Sequence, residues 1–199
     1  MPTSTQTPPP QPRIGPHRWT CEEFHAMGDM GLFERRKMIL VDGEILEMPM
    51  PNPPHDVALA KANDWLRKAF PTGHWVRPQM GLVLGINTDP GPDLAVVVGG
   101  YDDYAVHHPT TAVLVVEIAA SSVAYDTGDK ASLYAAAGIR DYWVVDLDGR
   151  RVFVFRDPQA DTTQKYGHGY ANVITYQPSE SFTPLAAPTA TVTAAELLP

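Results

Sequence analysis

Apolar residues along this chain fall into short blocks of strand length separated by turn chemistry, with a few longer stretches at helical spacing. Two blocks, Leu94–Val98 (LAVVV) and Ala112–Val116 (AVLVV), are apolar without a break, as strands buried on both faces are. Other blocks come in pairs. MILV and EILEM flank Asp42-Gly43, and DYWVVD and RVFVFR flank a turn at Asp148-Gly149. An Asp-Gly pair between two such runs predicts a β-hairpin, because the tightest turns need positive φ at both central residues. His74–Gly85 reads as one bent strand with Pro78 marking an irregularity. Tyr166–Tyr176 continues with weaker strand character, and a short final strand is expected at Thr191–Thr193.

The helical stretches are marked by their ends. Trp19–Met30 begins with Thr20 as N-cap and Glu23 three residues on, the capping-box spacing, and stops at Gly31. Met48–Pro54 (MPMPNPP) is too rich in proline for a helix; after it, His55–Phe70 sets Val57, Ala60, Trp65, Leu66 and Phe70 near one face. A third helix is expected from Asp126, as N-cap, to Gly138. It links the strand ending at Glu117 to the strand of Tyr142 and has the length of a right-handed crossover, so those strands should be parallel. The whole predicts an α/β fold: a mixed sheet with flanking helices and two β-hairpins.

Composition narrows this picture. The 199 residues, 44% hydrophobic and 19% charged, suit one folded domain over residues 18–199, behind a proline-rich, unstructured lead-in over residues 1–17. No apolar run is long enough to span a bilayer and the start lacks a signal-peptide pattern, so a soluble, cytoplasmic protein is expected. The lone Cys21 excludes an intrachain disulfide and reads as buried and inert. A formal net charge of -8 disfavours extensive phosphate contacts. Carboxylates that hold a metal, however, count as negative only without it.

The candidate chemistry sits at strand ends. Asp93 opens one buried strand and Glu117 closes the other, and a carboxylate at the edge of an apolar sheet needs a cation, either a metal or a lysine. Lys130, thirteen residues after Glu117, can supply one. Taken singly, Asp93 reads as a turn residue and Lys130 as a solvated helix residue. His107-His108 reads as surface loop, and Trp65, Trp75 and Trp143 as core.

The series PD(93), VVE(117), D-x-x-D-K(130) with Tyr134 and GIRDYWVVD, with DGE(44) and the P-x-P-x-P-P-H(55) loop upstream, resembles the Uma-two family, a branch of the PD-(D/E)xK nuclease superfamily. The likeness runs from about Trp19 to Tyr176. It implies a restriction-endonuclease-like fold, dependence on Mg²⁺ or else Mn²⁺, hydrolysis of DNA phosphodiesters and a homodimer. One position departs from the superfamily pattern: Ala119 stands where its lysine would, and the resemblance points to Lys130 as the replacement. On that reading Asp93, Glu117 and the Ile118 carbonyl hold metal, and Lys130 stabilises charge or orients water. Glu44 assists catalysis, while His55 and Tyr134 contact substrate. The competing expectation is a non-catalytic nucleic-acid-binding or regulatory protein on the same scaffold.

Overall fold

The structure, a computed structural model, describes residues 15–199; most of the expected lead-in lies outside the described residues. Helix α1 (Cys21–Asp29) carries the reciprocal capping box of Thr20 and Glu23. Strands β1 (Lys37–Val41) and β2 (Glu44–Met48) form the first hairpin in a small sheet of their own. Its turn has φ of 48° at Asp42 and 74° at Gly43. The glycine is also required by space, since a Cβ there would lie 3.0 Å from the Arg18 Cα.

Helix α2 (Pro53–Ala69) starts two residues before the expected point: Asn52 caps it and the prolines occupy its first turn, where a missing N–H costs nothing. Its buried face is also not the expected one. Ala58, Ala62 and Leu66 are buried, whereas Val57 is 47% exposed. Small side chains let the helix lie close on the sheet, and periodicity alone favoured the bulkier residue beside them. β3 (His74–Pro78) is shorter than the predicted strand, because the chain leaves the ladder at Pro78 and turns at Gln79, φ 50°.

β4 (Leu94–Val98), β5 (Leu114–Ala119), β6 (Asp141–Asp146), β7 (Arg151–Ala160) and β8 (His168–Tyr176) complete a six-stranded sheet in the order β3-β4-β5-β6-β7-β8. Only β5 and β6 are parallel, as the crossover required; every other neighbouring pair is antiparallel. That crossover is two helices, α3 (Val123–Thr127) and α4 (Asp129–Ala136), rather than one. Gly128 makes the break, and a Cβ there would stand 2.8 Å from the Ala124 carbonyl oxygen. Asp126 therefore lies inside α3 and is not a cap. Near the C-terminus, β9 (Ser181–Phe182) pairs with β10 (Val192–Thr193) ahead of the short helix α5 (Ala194–Leu197).

The central sheet is buried on both faces. On one side Trp143, Val145, Val154 and Val116 pack against α2 and the C-terminal segment, with Phe182 edge-on to Trp143. On the other, Tyr142, Val144, Val97 and Ile139 surround Tyr134 of α4. This two-sided burial explains the unbroken apolar runs of β4 and β5, two interior strands that carry Asp93, just ahead of β4, and Glu117, within β5, next to each other.

Candidate active site

β4 and β5 bring Asp93 and Glu117 side by side: the Asp93 N–H donates to Glu117 Oε2 at 3.3 Å, and the Ile118 N–H donates to Asp93 Oδ2 at 2.9 Å. The α3–α4 break then turns Lys130 inward, so that its Nζ lies 2.8 Å from Glu117 Oε1 and 3.7 Å from Asp126 Oδ1. Tyr134, one turn further along α4, donates its hydroxyl to the same Glu117 Oε1 at 2.7 Å. From the other side, His55 Nε2 approaches Asp93 Oδ2 at 3.2 Å, and Lys37 Nζ donates to Asp93 Oδ1 at 3.3 Å. These groups face a cleft of about 90 Å³, roofed by the Met48–Asn52 loop and by Ser121 and Ser122.

Electrostatics in the cleft follow from burial opposed by pairing. Burial pushes the Asp93 carboxyl up, but the His55 hydrogen bond, the Lys37 ammonium and the Ile118 N–H together hold it well below the usual carboxylate range. Glu117 goes the other way: burial raises it to about 7, with Asp93 and Asp126 adding to the shift and Lys130 opposing it. Burial also raises Asp126. Burial would discharge Lys130, yet Glu117 and Asp126 more than offset that and keep it protonated. His55 is raised by its hydrogen bond to Asp93.

Three carboxylates thus share this corner with two ammonium groups, those of Lys37 and Lys130. Among the described residues no three His, Cys, Asp or Glu side chains form a ready metal cage. Mg²⁺ does not need one, since it is commonly held by one or two carboxylates with waters and phosphate oxygens completing the shell. Asp93 and Glu117, hard oxygen donors on one cleft, fit such an ion.

Two residues assigned from the sequence do not line the cleft. Glu44 does not join the cleft; it is exposed beside the hairpin turn, where Arg18 Nη1 donates to it at 2.8 Å, at the opposite end of β2 from Met48. Tyr134 is fully buried and its hydroxyl is used on Glu117, so it is not placed to touch substrate. The structure brings Asp93, Glu117, Ile118, Lys130 and His55 to one cleft. Two further charged residues join them. Asp126 was read from the sequence as a helix cap and as the first acid of the D-x-x-D-K(130) motif, without a role in the site, and Lys37, 56 residues before Asp93, left no local signal at all.

The chain matches the Uma2 family, described as "Putative restriction endonuclease", over residues 21–193. The crystal structure of "a putative nuclease belonging to DUF820" from Anabaena variabilis superposes with a TM-score of 0.69 at 16% identity, covering 90% of this chain and 97% of that one. That likeness is one of fold. Among curated proteins none matches.

Proposed function

Because the chain belongs to the Uma2 family of restriction-endonuclease-like proteins, we propose that it is a metal-dependent nuclease that hydrolyses DNA phosphodiester bonds at the cleft of Asp93, Glu117 and Lys130. One observation carries this reading. Glu117 accepts from Lys130 at 2.8 Å through one oxygen and from the Asp93 N–H at 3.3 Å through the other, so three separate segments meet at one opening.

Asp93 and Glu117 would hold Mg²⁺ or Mn²⁺, which supplies a water of lowered pKa and offsets negative charge on the phosphate. The residues of the chain do the rest. Lys130, held protonated, is not a proton acceptor; it presents a fixed positive charge and N–H donors to oxygens on which negative charge grows. Tyr134 locks the Glu117 carboxylate in position from below. His55 and Lys37 bring cationic groups to the mouth of the cleft on an otherwise acidic molecule, where phosphate oxygens would enter. His55 is also placed to pass a proton to or from a group beside Asp93.

The test is nicking of supercoiled plasmid by the wild type in Mg²⁺, Mn²⁺ or EDTA, beside Asp93→Asn and Lys130→Met. The expected result is cleavage that requires metal and falls by about a hundredfold or more in each variant, the scale seen when a charge-stabilising donor is removed. Cleavage that persists in EDTA, or that is equal in all three proteins, would overturn the assignment. The absence of any cleavage by folded wild-type protein would favour a binding role on the same scaffold.

A further inference from the structure

The two edges of the main sheet are treated differently. β3, at one edge, is five residues long, half-buried, and ends in a proline, which cannot donate to a further strand. β8, at the other edge, has none of the devices that normally keep a strand from pairing with another chain. It runs nine residues, and from Gly169 to Tyr176 (GYANVITY) it has no charge and no proline. Ala171–Thr175 are exposed on both faces, with Val173 at 49% and Ile174 at 41%.

On an antiparallel strand, alternate residues turn their N–H and C=O away from the partner. On the outer side of β8 these groups meet nothing: beyond the His168 carbonyl, which accepts from Ser132 Oγ, no backbone group of Ala171–Thr175 bonds to anything but β7 among the described residues.

From this we infer that β8 is the interface through which two copies of the chain associate, antiparallel and edge to edge, with Val173 near the two-fold axis, so that the two sheets become one. Charge selects a second copy as the occupant. Two molecules of net charge -8 repel over most of their surface, and a strand free of charged side chains is a place where identical copies meet without like charges facing each other. An antiparallel strand pair is also self-complementary about a two-fold, which closes the assembly at two chains. Facing Val173 residues would sit at cross-strand contact distance, roughly 5 Å between Cβ atoms.

The experiment measures the mass of the full chain by light scattering over a range of concentration for wild type, Val173→Glu and Val173→Lys, and for an equal mixture of the two variants. The side chain is half-exposed, and circular dichroism would verify that both variants are folded. Wild type is expected at twice the chain mass, each variant alone at the single-chain mass, and the mixture back at twice the chain mass, because glutamate then faces lysine across the axis. A monomeric wild type would overturn the proposal. So would a dimer that survives Val173→Glu, which would place the interface elsewhere, or a monomer that dimerises only when residues 1–14 are removed, which would make those residues the occupant. None of these readouts depends on nuclease activity, so the interface and the cleft stand or fall separately.

Discussion

Each side chain of the cleft is explained by the charge it balances. Removing one member of a buried ionic set leaves its partner uncompensated, whereas removing a hydroxyl that only orients a carboxylate costs one hydrogen bond. Tyr134→Phe should therefore lower stability by about 1–3 kcal/mol, measured by urea unfolding, because one bond to a carboxylate is lost while Lys130 stays on Glu117. The nicking rate should fall less than in Lys130→Met. Glu44 gives the opposite case. It is an exposed partner of Arg18, so Glu44→Ala should leave plasmid cleavage unchanged and cost less than about 1 kcal/mol. Reduced cleavage by that variant would restore Glu44 to the site. The sequence exposed Asp93 and Glu117 because an acid at the end of an apolar run is anomalous. The position of Glu44 away from the cleft was not legible, because a carboxylate after a turn looks the same whether the turn faces a cleft or solvent.

At the scale of elements, what could be read was what depends on near neighbours. The capping box of α1, the Asp42-Gly43 hairpin and the parallel pairing of β5 with β6 follow from spacing within a few residues or from the length of one connection. The division of the crossover at Gly128 and the Ala58-Ala62-Leu66 face of α2 depend on what packs opposite, which periodicity does not encode.

The α1 cap also makes a pH prediction. The Thr20 backbone N–H, then its hydroxyl, lower the Glu23 pKa from its usual 4.5. A carboxylate lowered on folding adds stability that is fully present above its unfolded value and is lost as the pH falls through the lower, folded one. Protection of the Thr20 amide against exchange, relative to the unprotected rate at the same pH, should thus be present at neutral pH and fall in acid. In Glu23→Ala that protection should be low at every pH, and unchanged protection in that variant would contradict the cap.

For the whole molecule, the sheet does two tasks at different places. Its centre, buried on both faces, fixes β4 and β5 so firmly that two carboxylates can be held beside apolar strands; its β8 edge is left open. The mixed α/β architecture was legible because alternating strands and helices leave few ways to bury an apolar sheet. The joining of Lys37 and His55 to Asp93 was not, since it depends on how the hairpin and α2 close over the sheet. No helix among the described residues is long and apolar enough to cross a membrane. The net charge of -8 is spread over the molecule, whereas at the cleft Asp93, Glu117 and Asp126 face the ammonium groups of Lys37 and Lys130.

The central claim is that Asp93 and Glu117 share one divalent ion. Titrating the protein with Mn²⁺ while following the free-ion electron paramagnetic resonance signal tests it most directly. Wild type should remove Mn²⁺ from solution and release it when Mg²⁺ is added, and Asp93→Asn and Glu117→Gln should each lose that uptake while staying folded. Equal Mn²⁺ uptake by the three proteins, or none by the wild type, would contradict the account.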